Sequence, residues 1–216
     1  MKRHVFSSWS GGKDACLALY KALEEGYSVD LLFTAFIGNG EHSRAHGLKK
    51  EIIEAQAKSL NIPFEIGFAD WGEYESVLIE FIEKAKIKDI TGGVFGDIDL
   101  DSHKEWLEEI AKKTKINVLL PLWKRDRVEL VEEFIELGFK TIIISTKTSI
   151  MGDEFLGRIL DKELVSEFLK LGIDPSGEGG EFHTLVIDGP IFNEKIDLKI
   201  IGKVERGKYH FLEVEL

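Results

Sequence analysis

The stretch Val5-Phe6-Ser7-Ser8-Trp9-Ser10-Gly11-Gly12-Lys13-Asp14-Ala15-Cys16-Leu17 joins a short apolar segment to an amphipathic one through a glycine-rich turn. This order predicts a strand, a turn with two glycines and a hydroxyl, and then a helix. The N–H groups of such a turn point toward one spot, which favours a multiply charged anion. Gly11 and Gly12 let the backbone approach that anion closely, and Lys13 adds an ammonium at the start of the helix. The stretch therefore predicts a phosphate-binding loop.

The segment Ser10-Gly11-Gly12-Lys13-Asp14 does not match a Walker A loop. That loop needs a glycine five positions before Gly12 and a Ser or Thr after the lysine, where this chain has Ser7 and Asp14. The segment instead resembles the PP-loop, SGGxDS, of the N-type ATP pyrophosphatase superfamily, with Ala15 in place of the last serine. The resemblance implies that ATP is cleaved between its α and β phosphates, that a substrate oxygen is adenylylated, and that pyrophosphate is released.

Length and composition predict a globular protein with one full α/β domain and a smaller one. The chain has 216 residues, of which 44% are hydrophobic and 31% are charged. Its net charge of −11 disfavours a nucleic-acid partner, which usually requires a basic face. No apolar run reaches membrane length, so we expect a cytoplasmic protein with no membrane partner. Abundant Lys, Glu and Ile with a single glutamine resemble the composition of proteins from very hot environments.

The number and position of cysteines limit the reactions that this chain could catalyse. Cys16 is the only cysteine, which excludes a disulfide framework and any CxxC pair, and its helical spacing places it on the buried stripe of the first helix. Amidation with nitrogen from glutamine would need a cysteine nucleophile in an amidotransferase domain, and thiolation would need a catalytic cysteine away from the loop. We therefore expect free ammonia rather than glutamine as the source of any transferred nitrogen.

Strand-like and helix-like segments alternate from the loop to about Leu122, as in a right-handed, doubly wound parallel sheet with helices on both faces. The resemblance to the PP-loop superfamily implies that this sheet is Rossmann-like, of the adenine nucleotide α-hydrolase (HUP) type. Ligands of such sheets bind beyond the carboxyl ends of the strands, where Ser10–Asp14, the end of the apolar strand Val29–Phe36, and Gly96-Asp97 would converge. The residues predicted to bind the nucleotide are Ser8, Ser10, Gly11, Gly12, Lys13, Asp14, Ala35, Phe36, Gly96 and Asp97.

The pattern changes after Trp123, and it predicts a smaller α+β domain. Helical spacing recurs over Arg127–Leu137 and around Asp161–Leu171, and the chain ends in a predicted β-hairpin with strands Leu198–Val204 and Tyr209–Leu216. We expect an ATP-binding domain over residues 1–125 and a substrate-binding domain over residues 126–216.

A second group of functional side chains lies in Glu178-Gly179-Gly180-Glu181-Phe182-His183-Thr184. It combines two carboxylates, an imidazole and a hydroxyl on a glycine-rich frame. Together with the PP-loop, Gly93–Ile98, Pro121-Leu122-Trp123 and Leu156-Gly157-Arg158, this motif resembles the diphthine-ammonia ligase family, which acts last in diphthamide synthesis. The resemblance covers nearly the whole chain and implies that ATP and Mg²⁺ are used to adenylylate the carboxylate of diphthine on translation elongation factor two. Ammonia would then displace AMP and leave an amide.

The resemblance also implies roles for single residues. Catalysis is expected from Lys13, Asp14, Glu178, Glu181 and His183, with His183 accepting a proton from ammonium. Asp14 and Asp97 are the expected ligands of Mg²⁺. A trimethylammonium group such as that of diphthine prefers aromatic faces and carboxylates. The residues expected to contact the substrate are Trp123, Arg158, Glu178, Glu181 and Thr184.

Two other functions stay open at this point. One is a PP-loop ligase that amidates a different carboxylate, and the other is a module that binds ATP or AMP without turning it over, for which Ala15 is the best argument. His42, His46 and His103 have no spacing typical of a metal site, and none is assigned. The sequence is compatible with a homodimer.

Overall fold

The structure is a computed structural model that describes residues 3–38, 40, 42–43, 46–70 and 72–216. Part of the predicted polar loop at 38–47 therefore lies outside the described residues. Two compact units are present. The first comprises Met1–Ser10 and Asp14–Arg125, and the second comprises Gly11–Lys13 and Asp126–Leu216. No described helix has both the length and the apolar character needed to cross a membrane.

The first unit is built on a five-stranded parallel sheet, which confirms the predicted α/β fold. The strand order is β3-β2-β1-β4-β5, so the winding reverses at β1 and the crevice at its carboxyl end is the expected ligand position. The strands are β1 Arg3–Ser8, β2 Tyr27–Phe36, β3 Phe64–Phe68, β4 Gly92–Val94 and β5 Asn117–Leu119. The helices are α1 Lys13–Glu24, α2 Lys50–Leu60, α3 Tyr74–Lys86 and α4 Asp101–Thr114.

Aromatic packing fixes the sheet against its helices. Phe6 of β1 meets Phe81 of α3 edge-on at 5.0 Å, and Phe33 of β2 stacks on Phe81 at 4.2 Å. Phe81 belongs to the apolar stripe that the spacing of α3 predicts, and all three rings lie in the same hydrophobic core. Cys16 is fully buried, which confirms its predicted place in the core, and this burial raises the pKa of its thiol well above the usual value.

The second unit is an α+β domain on a four-stranded antiparallel sheet of order β7-β6-β9-β8. The predicted hairpin is present as β8 and β9. Its helices begin where the sequence provides a cap: the side chain of Asp126 accepts from Val128 N–H and Glu129 N–H, and that of Asp161 accepts from Leu164 N–H. The elements are α5 Arg127–Glu136, β6 Lys140–Lys147, α6 Lys162–Leu171, β7 Phe182–Asp188, β8 Lys199–Arg206 and β9 Tyr209–Glu215.

Candidate functional site

The predicted phosphate loop lies between β1 and α1, as its sequence requires. Gly11 has φ of 84°, a left-handed conformation that side chains with a Cβ resist. Lys13, the first residue of α1, is only 5% exposed, and Asp14 adds a carboxylate in the first turn of that helix. The glycine at position 11 is therefore required by the turn itself, apart from any ligand.

Residues Gly11–Lys13 belong to the second unit because they run along β7. The carbonyl oxygen of Gly11 accepts from Val186 N–H (3.0 Å), and Lys13 N–H donates to Thr184 Oγ1 (3.1 Å). The Nζ of Lys13 donates to the carbonyl oxygen of Ser176. Both the backbone and the ammonium of the phosphate loop are thus held by the segment around the Glu178–Thr184 motif.

A turn that the sequence analysis did not assign to the site supports Lys13. Asp174 Oδ1 accepts from the N–H (2.9 Å) and the Oγ (2.8 Å) of Ser176, and Arg127 pairs with the same aspartate. The Asp174-Pro175-Ser176-Gly177 sequence is typical of a turn. Nothing in that sequence indicates that its carbonyl oxygen would face a lysine far away in the chain.

Thr184 supports the loop instead of presenting its hydroxyl to a substrate. Its side chain is 3% exposed, and its oxygen is the acceptor for Lys13 N–H. The predicted contact of Thr184 with the substrate is therefore replaced by a structural one.

Replacing Thr184 by valine should weaken ATP binding about fivefold to tenfold, because the variant keeps the shape of the side chain and loses the acceptor for Lys13 N–H. Isothermal titration with ATP measures the effect. Thr184→Ser keeps the hydroxyl and serves as the matched control, with near-normal affinity expected. Equal affinity of the valine and serine variants would show that this hydrogen bond does not hold the loop.

Gly96 brings the end of β4 onto the first turn of α1. A Cβ built at this position would lie 2.8 Å from the carbonyl carbon of Asp14 and 2.9 Å from the nitrogen of Ala15. The predicted convergence of the Ser10–Asp14 loop with Gly96-Asp97 is therefore present at Asp14. Ala15 is 6% exposed, so the position where the PP-loop pattern has serine faces the packed interior.

The variant Gly96→Ala should lower ATP affinity at least ~10-fold, since the added methyl would meet backbone atoms on a packed turn and α1 would have to move. ATP titration and thermal melting measure the two effects. Gly202→Ala is the matched control, because its Cβ would make only an ordinary contact, 3.7 Å from Glu213 Oε2. Unchanged ATP affinity in the Gly96 variant would contradict the role given to this close approach.

A cavity of about 490 Å³ opens in the first unit at the carboxyl ends of β1 and β2. The rings of Tyr74 and Trp106 stack beside it, with centroids 5.6 Å apart and planes at 25°. Aromatic faces with a few hydroxyls suit a planar heterocycle. The cavity is lined by Ser8, Trp9, Ser10, Phe33, Thr34, Ala35, Ser43, Tyr74, His103 and Trp106.

Three residues of the predicted nucleotide set line the cavity, and one residue of that set is buried away from it. Ser8, Ser10 and Ala35 line it, as predicted for an edge beyond β1 and β2. The side chain of Phe36 is fully buried in the core, because it points to the opposite face of β2 from Ala35, so it cannot contact a nucleotide. Tyr74 and Trp106 fit the amphipathic spacing of their helices, which is why their position at the cavity was not predicted.

The carboxylates predicted to bind Mg²⁺ come from adjoining segments. Asp14 is in the first turn of α1, and Asp97 follows Gly96, whose backbone packs on Asp14. Asp97 also pairs with His103 Nδ1 at 3.0 Å. Within the described ranges no three or more His, Cys, Asp or Glu side chains form a metal cluster. Two carboxylates suffice for Mg²⁺, which usually takes its other ligands from phosphates and water.

Glu181 is the least satisfied carboxylate of the second motif. Its Oε2 is buried and has no hydrogen-bond partner in the described part of the chain. Its carboxylate folds against Gly179, where an added Cβ would lie 2.4 Å from Oε1. Glu178 lies in the same turn, and its N–H donates to Ser176 Oγ at 3.3 Å. A buried carboxylate oxygen without a donor is costly unless a ligand supplies a cation or a donor.

His183 does not fit the role of proton acceptor from ammonium. Burial, and next the nearby charge of Lys13, lower its pKa from 6.5 to about 4. Such an imidazole is neutral at pH 7, but it is too weak a base to take a proton from ammonium effectively. The lowered pKa does not support His183 as the acceptor of a proton from ammonium, and any other catalytic role of His183 stays a prediction.

This lowered pKa has a consequence for stability. Between about pH 6.5 and about pH 4 the unfolded chain binds a proton at His183 and the folded chain does not, so stability falls as the pH falls through this range. We expect this group to remove about 3 kcal/mol from the free energy of unfolding at the acid end. Urea unfolding of the wild type and His183→Gln across this range measures it. Parallel curves for the two proteins would contradict the prediction.

Arg158 and Trp123 are occupied by other partners. The guanidinium of Arg158 bonds to both carboxylate oxygens of Glu167, at 3.1 and 2.6 Å, and this contact raises the pKa of Arg158. The predicted role of Arg158 in binding phosphate or substrate is therefore not supported. Two ammonium groups lie over the ring of Trp123: Lys124 Nζ is 4.9 Å and Lys104 Nζ is 5.5 Å from the ring centroid. Its face attracts cations, and its contact with a substrate stays a prediction.

Two domain models of known proteins match most of the chain. Residues 1–118 match the sequence model of the diphthamide synthase N-terminal domain, and residues 126–215 match that of the diphthamide synthase C-terminal domain. Diphthine–ammonia ligase of Bos taurus is 32% identical over 209 residues, covering 84% of this chain and 77% of the relative. That of Danio rerio is 27% identical over 208 residues, covering 84% and 80%.

Among solved structures, a predicted subunit of tRNA methyltransferase from Methanocaldococcus jannaschii is similar at 17% identity. The match covers 86% of this chain and 97% of that one, with a TM-score of 0.48, and it supports no inference about function. The two domain matches together span nearly every residue that builds the site described above. The chain belongs to the diphthamide synthase family.

Proposed function

We propose that this chain is an ATP-dependent carboxylate–ammonia ligase that converts diphthine on translation elongation factor two into diphthamide, with release of AMP and pyrophosphate. Residues 1–125 would form the ATP-binding domain, and residues 126–216 the substrate-binding domain. The observation that carries the proposal is the bonding of Lys13 to Thr184 and Ser176. These bonds hold the phosphate loop against Thr184 of the second motif and against the turn that precedes this motif.

The reaction has two steps that balance without a redox partner. In the first, a carboxylate oxygen of diphthine attacks the α phosphorus of ATP, the bond to the oxygen bridging the β phosphorus breaks, and pyrophosphate leaves. In the second, the nitrogen of ammonia attacks the acyl carbon, the bond from that carbon to the AMP oxygen breaks, and the nitrogen loses a proton. The amide and AMP are the products.

The residues have distinct tasks in this scheme. The N–H groups of Gly11 and Gly12 would bind phosphate oxygens, and the ammonium of Lys13 would offset charge that develops at the α phosphorus. Asp14 and Asp97 would hold Mg²⁺, whose chemistry when bound is to neutralise phosphate charge. The cavity beside Tyr74 and Trp106 would hold the adenine base. Glu178 and Glu181 would face the cationic part of diphthine.

Isotope-labelled ammonium tests the proposal. The full chain is incubated with ATP and with elongation factor two bearing diphthine, and mass spectrometry follows the label. We expect one labelled amide on the factor for each AMP and pyrophosphate released. Factor with an unmodified histidine is the control. Label on a small molecule would favour a ligase for a different carboxylate, absence of AMP would favour a binding module, and ADP as the product would contradict the PP-loop mechanism.

Glutamine should not replace ammonium in this assay. The only cysteine, Cys16, is fully buried with its pKa raised by burial, so it is not available as the nucleophile that glutamine hydrolysis needs.

A further inference from the structure

One face of the second unit's sheet carries two short rows of chemically distinct side chains. Lys147 of β6 is opposite Tyr209 of β9, and its N–H donates to the carbonyl oxygen of Glu181 at 2.8 Å. Two residues earlier on β6, Ser145 is opposite both His183 and Phe211. Directly opposed residues share a face with Cβ atoms about 5 Å apart. We call these six residues the β6 patch: Glu181, Lys147 and Tyr209 in one row, and His183, Ser145 and Phe211 in the next.

Two buried oxygens of the β6 patch lack hydrogen-bond partners among the described residues. Glu181 Oε2 and Ser145 Oγ are buried and accept or donate no hydrogen bond in the described part of the chain, and Ser145 is fully buried. Lys147 and Glu181 are opposite charges on neighbouring strands, yet neither forms an ion pair with any described residue. Unsatisfied buried groups are rare in proteins, so the carboxylate of Glu181 and the ammonium of Lys147 point to a ligand that supplies their missing partners. Ser145 is fully buried and contacts no ligand.

The aromatic part of the β6 patch suits a cation that has no hydrogen to donate. The rings of His183 and Tyr209 have centroids 6.1 Å apart at 29°, and those of Tyr209 and Phe211 are 6.1 Å apart at 46°. Tyr209 OH donates to the carbonyl oxygen of Gly180 at 3.3 Å, which ties its ring to the turn that carries Glu181. Aromatic faces beside a carboxylate are the usual environment for a quaternary ammonium ion.

We propose that the β6 patch binds a betaine group, which is a trimethylammonium and a carboxylate on the same carbon. The trimethylammonium lies against Tyr209 and Phe211 with Glu181 as its counter-ion, and the carboxylate meets the ammonium of Lys147. The inference rests on the proposed function, because diphthine ends in such a group. It adds Lys147, Tyr209 and Phe211 to the residues that select the substrate.

The position of the β6 patch also fits the reaction. His183 is close enough to Lys13 for the charge of that lysine to lower the imidazole pKa, and both residues belong to the second unit. A carboxylate held at the β6 patch would therefore lie near the lysine that is expected to serve the phosphates. A neutral His183 adds no positive charge that would repel the trimethylammonium.

Three small probes separate the contributions to binding. The first is 2-(trimethylammonio)butyrate, which has both charges and the methyl groups, the second is propyltrimethylammonium, which lacks the carboxylate, and the third is 2-aminobutyrate, which lacks the methyl groups. Saturation-transfer NMR on the full chain shows whether the N-methyl protons contact the protein, and titration gives each Kd. We expect the first probe to bind tightest and the third not to bind measurably.

Each variant should weaken only those probes that contact the side chain it removes. Tyr209→Leu and Phe211→Leu should each weaken both methylated probes about fivefold or more. Lys147→Gln should weaken only the probe with a carboxylate. The matched controls, Lys140→Gln at the other end of β6 and Tyr27→Leu at the start of β2, should bind all probes like the wild type. Circular dichroism melting checks that each variant is folded.

Other outcomes would overturn the inference. These are absence of N-methyl saturation transfer, equal losses in the control variants, or equal weakening of both methylated probes by Lys147→Gln, as expected if Lys147 supported the fold and did not meet the carboxylate of the ligand. The labelled-ammonium assay keeps the two proposals apart. Amide formation by a wild type that binds none of the probes would reject the β6 patch and keep the ligase, whereas probe binding without amide formation would do the reverse.

Discussion

Lys13→Met should lower the rate of ATP cleavage to AMP about a thousandfold, because a buried ammonium at the phosphate loop would be replaced by an apolar chain of similar length. Lys13 is 5% exposed, and its Nζ already faces the carbonyl oxygen of Ser176, so its position is fixed before any ligand binds. Single-turnover measurement of pyrophosphate release tests the expectation.

The control for Lys13→Met is Lys21→Met on the same helix. Lys21 pairs with Glu24 at 3.1 Å near the surface, and its loss should leave ATP cleavage unchanged. If Lys13→Met cleaved ATP at the normal rate, the loop would not be the site of phosphate chemistry. Thr184→Ser, which keeps the neighbouring hydroxyl, shows in parallel that the loop tolerates a conservative change.

Glu181→Gln should abolish amide formation, by a factor of about a hundred or more, while ATP binding stays normal. The amide has the shape of the carboxylate but not its charge, so the trimethylammonium of diphthine would lose its counter-ion in a partly buried place. Labelled-ammonium incorporation and ATP titration measure the two properties on the same preparation.

Glu163→Gln, at an exposed position in the first turn of α6, is the matched control for Glu181→Gln and should retain full activity. Normal amide formation by the Glu181 variant would remove the second motif from the site and with it the assignment of diphthine as the substrate. Loss of ATP binding as well would instead place Glu181 in the nucleotide site.

Local sequence patterns predicted the parts of the fold that depend on local periodicity. The continuous apolar run at Val29–Phe36 lies in β2, an interior strand of the sheet, and the residues with helical spacing, Tyr74, Val77, Leu78 and Phe81, lie in α3. Strand–helix alternation then allowed few topologies for the sheet. The phosphate loop was predicted from the same kind of local pattern. A strand, two glycines and a helix in this order direct the N–H groups of the turn toward one spot.

The unpredicted parts of the site depend on contacts between distant positions. Lys13 and Thr184 are 171 residues apart, and no pattern in either segment indicates the bond between them. Arg158 was predicted to bind phosphate or substrate, because nothing in the sequence shows that its guanidinium would pair with Glu167 of α6. The prediction included both Ala35 and Phe36, but successive side chains of a strand point to opposite faces, so Ala35 lines the cavity and Phe36 is buried in the core.

The grouping of Gly11–Lys13 with the second unit has a consequence for synthesis of the chain. The partners of this segment, Ser176, Thr184 and Val186, are made long after it. A nascent chain that has completed the whole parallel sheet therefore still lacks the partners of this loop, and the loop gains them only after Val186 has been made and has left the ribosome. Truncated products that stop at the end of the first unit would then compete poorly for cellular ATP.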